Sequence, residues 1–349
     1  MAELKETYSP RRAHRLRMGE IQGSLSFRGN GLDFTSWRTN LRQALKSKLG
    51  LPLSGGGEAR RIWSREEADG RIERWDLGVE TGAEMPAYLA LPHGVEGPIP
   101  FIICLQGHNT GMHVSLSMDR EDECTRIEVN GDRDLARQCL ANGVGALCIE
   151  QRSFGLRRDP WSEEHSQYGM CSDAAMRAMV LGRTLLGERI HDVSRALAFL
   201  SERPECDSGR IGIMGNSAGG TVSLYSIGLL DEIGFAVPSS CFCLYRESWL
   251  RASFCPCGYV PGLAGLADLP DILGLAAPRP VAVIVGREDK GFPPPAVEEA
   301  FERLKEIYVA AGHPDNCVLH FGDEGHRFYA EPAWRFIRER ALPEHFYKS

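Results

Sequence analysis

The chain has 349 residues, 43% of them hydrophobic and 25% charged, enough apolar material for a substantial core and too much for wholesale disorder. Forty Lys and Arg against 47 Asp and Glu give a net charge of −7, which offers no basic face for nucleic acid. No window approaches the roughly 18 apolar residues of a membrane span, and the N-terminal residues lack the apolar stretch of a secretory signal.

Of the eleven cysteines, several, such as Cys104 and Cys148, sit inside apolar runs and read as small buried hydrophobes of a reducing compartment. A cytoplasmic protein is therefore expected. The basic cluster at 11–17 (RRAHRLR) reads as a solvated tail. Residues 33–49 place Trp37, Leu41, Ala44, Leu45 and Lys48 near helical spacing, with Asp33 or Thr35 available as cap, and LPLSGGG then breaks the helix. The division expected is a tail and helical arm over 1–70 and an α/β domain over 71–349.

Two strand-like runs, RIERWDLGV and AEMPAYLAL, flank Glu80-Thr81-Gly82 as a hairpin. Strands are then expected at 101–105 (FIICL), 145–149 (GALCI), 210–214 (RIGIM), 281–285 (VAVIV) and 318–321 (VLHF). Helices are expected at 132–142, 174–200, 218–230, 295–311 and 333–342. Short buried strands alternating with longer amphipathic segments imply a mostly parallel sheet with helices on both faces and an antiparallel edge. The stretch 235–280, rich in Gly, Pro and aromatic residues, reads as elaborated loops at the end of the sheet where such folds place ligands.

Gly215-Asn216-Ser217-Ala218-Gly219 matches G-x-S-x-G between a strand and a helix. The five-residue pattern is weak alone, but the sharp turn it needs is present. Small residues on either side let neighbouring backbone approach, and the helix N-terminus favours an anionic intermediate. A serine hydroxyl needs a base and an acid that orients it. Asp289 follows the strand at 281–285, and His326 follows the strand at 318–321, completing the order Ser217, Asp289, His326. Glu288 competes with Asp289, whereas Asp323 and Glu324 lie too close to His326 in sequence to reach its ring from behind.

The oxyanion donors expected are the N–H of Ala218 and that of His108 in the loop QGHNTG, with Asn109 as runner-up. Gln106 stands there in place of the His of the more usual His-Gly-x. Arg152 either binds an acidic substrate group or anchors its loop on a carboxylate, and Trp249 and Tyr259 either floor a substrate pocket or fill core.

The stretches MPAYLALP, FIICLQGHNTG, RIGIMGNSAGGT, APRPVAVIVGREDKGFP and GDEGHRF together resemble α/β-hydrolases of the dienelactone-hydrolase-like and acetyl-xylan-esterase-like group. That resemblance implies an α/β-hydrolase fold, a Ser-His-Asp triad, hydrolysis of a small-molecule carboxylic ester and no cofactor. A cysteine nucleophile, as in true dienelactone hydrolases, is disfavoured by Ser217. Cys241-x-Cys243 and Cys255-x-Cys257 lack the spacing of a zinc clip, and successive strand residues face opposite sides, so free or structural thiols are expected. His108 and His113 have no second cluster nearby, so no metal is expected and activity should survive a chelator. No membrane or nucleic-acid partner is expected, and a homo-oligomer is compatible with the sequence. The rival functions are a peptidase or carbon–carbon-bond hydrolase of the same fold, and a non-enzymatic ligand-binding module.

Overall fold

The computed structural model describes residues 5–95 and 97–347. Its centre is a nine-stranded sheet made of β1 (Ala59–Glu67), β2 (Gly70–Glu80), β3 (Ala83–Pro92), β4 (Ile99–Leu105), β5 (Gly145–Ile149), β6 (Cys206–Asn216), β7 (Phe235–Ser239), β8 (Val281–Gly286) and β9 (Cys317–Gly322). The spatial order is β1-β2-β3-β5-β4-β6-β7-β8-β9. Pairing is antiparallel from β1 through β3 to β5, and parallel from β5 through β4 to β9. The mixed edge and the parallel run are as the sequence implies.

Alternation along β4 explains why both faces are covered. Phe101, Ile103 and Leu105 enter one hydrophobic core, while Ile102 and Cys104 enter the other. The first core packs against the helices Phe34–Leu49, Leu185–Ser201, Ala218–Leu229 and Pro294–Ala310, and the second against Leu135–Ala141 and Ala330–Phe336.

Three segments differ from the sequence reading. Residues 59–67, expected in the arm, form the edge strand β1; they are mostly exposed and lack the apolar alternation that marks a half-buried strand. The helix expected over 174–200 is two, Met170–Val180 and Leu185–Ser201, because Gly182 turns the chain at φ +74° and Thr184 caps the second helix on Gly187 N–H. Phe235–Ser239 is a buried parallel strand within the stretch read as loops. The basic cluster lies on the helix Pro10–Glu20, which buries no residue, consistent with a solvated face.

The arm helix Phe34–Leu49 begins at Asp33, whose carboxylate accepts from Thr35 and Ser36 N–H, and ends at Gly50 in the left-handed region. Trp37, Leu41, Leu45 and Leu49 are fully buried along one stripe, and the Trp37 indole N–H donates to the Leu25 carbonyl. Arg42 pairs with Asp231 beside the stripe. The arm is thus part of the core. Trp37→Ala is expected to cost about 3–5 kcal/mol, because it deletes the largest side chain of that stripe and orphans a carbonyl. Thermal or denaturant unfolding checks this; a loss below about 1 kcal/mol would mean that the arm is peripheral. Among the described residues, no helix is long and apolar enough to cross a membrane.

Candidate active site

Ser217 sits where β6 turns into the helix Ala218–Leu229, at φ 58° and ψ −118°, a strained conformation for a residue with a Cβ. The turn holds because its neighbours are small. A Cβ on Gly219 would lie 2.2 Å from the Leu105 carbonyl oxygen, and one on Gly215 would lie 2.5 Å from the Gly219 carbonyl carbon. Ser217 N–H donates to the Ser239 carbonyl at the end of β7, which fixes the elbow against the next strand. Its hydroxyl has no hydrogen-bond partner among the described residues.

Asp289 and His326 come together across the ends of β8 and β9. The imidazole Nδ1 lies 2.7 Å from Asp289 Oδ2, while Asp289 Oδ1 accepts from Gly291 N–H. The carboxylate side chain is 3% exposed and the imidazole 42%, so the acid is sealed off and the base faces outward. Backbone hydrogen bonds from Arg287 to Gly322 and from Glu288 to Glu324 tie the two loops, and Phe292 stacks on the imidazole at 6.1 Å. Ser239 and Ser240 hydroxyls donate to the Arg327 carbonyl, so β7 braces both the nucleophile turn and the histidine loop. Glu324 instead pairs with Arg327.

The loop after β4 abuts the serine: a Cβ on Gly107 would lie 3.4 Å from Ser217 Cβ. Gln106 is buried and donates to Ser115 Oγ and the Arg133 carbonyl, while Gln151 donates to the Gln106 carbonyl. This is how the loop is held without the more usual histidine. The backbone N–H groups of His108 and Ala218 have no acceptor among the described residues. Burial lowers the pKa of the His108 side chain.

These residues open on a cavity of about 650 Å³, in the range of small-molecule sites. Ser217, Ala218, His108 and Asn109 line it, as do Trp249, Phe254 and Phe292. Tyr259 stands behind: its hydroxyl donates to the Trp249 carbonyl and its ring meets Trp249 edge-on, without lining the cavity. Arg152 is outside the cavity too, with its guanidinium on Asp192 and Glu80 and beside Glu188. Burial alone would raise the Asp192 pKa, but Arg157 and Arg152 outweigh it and hold the carboxyl below its ordinary value. Arg152 thus anchors its loop.

The cavity also collects residues that sequence reasoning did not assign. Arg189 and Cys171 line it with Cys255 and Cys257, and a His108 ring nitrogen lies among those three sulfurs. Cys255 and Cys257 are not strand neighbours; they flank Pro256 in a tight 3₁₀ turn, so both sulfurs face one side. Their partners come from distant segments, and no local spacing could have revealed them. Cys241 and Cys243 are buried singly in the core.

No family model matches the chain. It is 26% identical over 264 residues to "Putative hydrolase YtaP" of Bacillus subtilis (strain 168), covering 74% of this chain and 82% of that one. Among solved structures, it is similar to a "putative acetyl xylan esterase" from Bacteroides fragilis NCTC 9343, with TM-score 0.74 and 17% identity over 91% of this chain and 84% of that one. A glucuronoyl esterase from Solibacter usitatus gives TM-score 0.67 at 14% identity, covering 92% and 96% of the two chains. Acetyl xylan esterase 1 from Thermoanaerobacterium sp. JW/SL YS485 gives 0.59 at 16%, covering 95% and 98%. The order of the strands, the nucleophile turn and these neighbours establish that the chain has the α/β-hydrolase fold.

Proposed function

We propose that the chain is a serine hydrolase of small-molecule carboxylic esters. Ser217 Oγ attacks the ester carbonyl while His326 Nε2 takes its proton, and Asp289 orients the ring and stabilises the imidazolium. The N–H groups of Ala218 and His108 receive the oxyanion. The imidazolium then protonates the departing alcohol. Water, deprotonated by the same ring, attacks the acyl-serine and releases the acid. Two observations support this reading: a buried Asp289 carboxylate bonded to His326 Nδ1, whose ring stacks on the cavity-lining Phe292, and a strained, unbonded Ser217 that lines the same cavity. In free enzymes the serine–histidine contact often tightens only when substrate binds.

The substrate class within this reading is a short acyl group, acetyl to butyryl, on a soluble alcohol such as a sugar. Two of the similar structures are named acetyl xylan esterases, one of them "putative", and the cavity mixes Trp249, Phe254 and Phe292 with Ser153, Ser172 and Thr221. Such a surface suits a polyol that stacks one face and hydrogen-bonds at its edge. Each extra methylene gains about 0.8 kcal/mol only while apolar wall remains to receive it. Across p-nitrophenyl esters of two to twelve carbons, kcat/KM is expected to peak by butyryl, and acetylated sugars to be turned over. A rise continuing past about eight carbons would reveal a long acyl channel and overturn the short-acyl assignment. Faster cleavage of peptide amides than of esters would favour a peptidase instead.

A further inference from the structure

We propose that His108, Cys171, Cys255 and Cys257 form a zinc site in the wall of the cavity. One donor atom from each lies within 4.8 Å of the others, although the four residues come from three separate segments. His108 belongs to the loop after β4, Cys171 to the first turn of the helix Met170–Val180, and the cysteine pair to the turn around Pro256. Three thiolates and an imidazole are a donor set of closed structural zinc sites. Zn–S bonds near 2.3 Å put neighbouring sulfurs about 3.7 Å apart in a tetrahedron, so binding the ion requires donor atoms that lie within 4.8 Å of one another to close by no more than about 1 Å.

Two further observations point to a bound cation with thiolate ligands. His108 Nε2 is buried and has no hydrogen-bond partner, while the ring is held edge-on against Phe154. An orphaned ring nitrogen in such a place is unfavourable unless something is bound to it. Arg189 is also buried, and among the described residues it has no carboxylate partner. Its guanidinium donates to the Arg152 carbonyl and to Cys171 Sγ at 3.6 Å, over the Phe154 ring. A buried guanidinium needs a counter-charge. Zn²⁺ with three thiolates carries one net negative charge, and Arg189 cancels it. Cys257 N–H points at Cys255 Sγ at 3.5 Å, a second dipole turned toward sulfur. Cys255 and His108 are only half-buried, which leaves an entry path from the cavity.

The ion would fasten the cysteine turn and the helix Met170–Val180 to the loop that carries His108. On the functional reading above, that loop also supplies an oxyanion N–H, so the metal acts as a positioning element and touches no substrate. The thiols release their protons to solvent as the ion binds.

The test is metal analysis of the full chain, purified under reducing conditions from zinc-supplemented cells. One zinc per chain is expected. The metal-free protein, titrated with cobalt(II), should develop thiolate-to-cobalt charge-transfer absorption that saturates at one equivalent. Cys171→Ser and Cys257→Ser should each lose the metal, while Cys124→Ser, at an exposed cysteine outside the cluster, should keep it. Wild-type protein without stoichiometric zinc and without the cobalt band would overturn the site, even if a variant fails to fold. So would a disulfide among Cys171, Cys255 and Cys257 under these conditions, or metal retained in a Cys171→Ser, Cys257→Ser double variant. These readouts count metal and not turnover, so they stand whether or not the chain hydrolyses esters.

Discussion

Ser217→Ala is expected to lower kcat on a short p-nitrophenyl ester by about 10⁴-fold or more, with the thermal midpoint unchanged. The size follows from the mechanism: without Oγ no acyl-enzyme forms, and what survives is binding and oxyanion stabilisation acting on water. The fold should not notice. The strain at φ 58° belongs to any residue with a Cβ, and the turn is held by Gly215, Gly219 and the Ser217–Ser239 backbone bond, none of which uses the hydroxyl. An organophosphonate should label Ser217 once per chain and fail on the variant. Full activity in Ser217→Ala, or stoichiometric labelling of another serine, would sink the assignment.

What was legible beforehand was set by local signals. The strands β4, β5, β6, β8 and β9 are apolar runs, and each of Ser217, Asp289 and His326 stands just past one of them. β7 carried no such signal: five residues with a proline, FAVPS, are too short for a period, and the sheet around them makes them a strand. Arg152 was ambiguous because its partners Glu80, Glu188 and Asp192 lie on other elements. The cysteine cluster was hidden for two reasons. The C-x-C spacing of Cys255 and Cys257 suggests strand neighbours whereas the two flank a proline turn, and the helix expected over 174–200 leaves out Cys171, which lies in the first turn of Met170–Val180. A pair of cysteines flanking a proline is the available signal; its partners can be found only in three dimensions.

Asp289→Asn should be nearly as damaging as loss of the nucleophile, for a reason specific to how the carboxylate is held. Oδ2 accepts from His326 Nδ1–H and Oδ1 accepts from Gly291 N–H, so both oxygens act as acceptors in a buried place. An asparagine has one acceptor and one donor there. If its oxygen keeps Gly291, its NH₂ faces Nδ1 and selects the tautomer with the proton on Nε2, which cannot take the serine proton. If its oxygen faces the ring, NH₂ meets Gly291 N–H, two donors opposed at a cost of about 1–3 kcal/mol. Either arrangement removes the stabilisation of the imidazolium, and kcat should fall by about 10⁴-fold at neutral pH. The neighbouring carboxylates make the control. Glu324→Gln loses only an exposed pair with Arg327, and Glu288→Gln removes a carboxylate beside Asp289 in sequence; both should stay within a few-fold of wild type. The comparison requires kcat and a melting curve for all three variants. Asp289→Asn retaining more than about a tenth of wild-type kcat while Glu288→Gln collapses would move the acid to Glu288 and leave the Asp289–His326 bond a structural one.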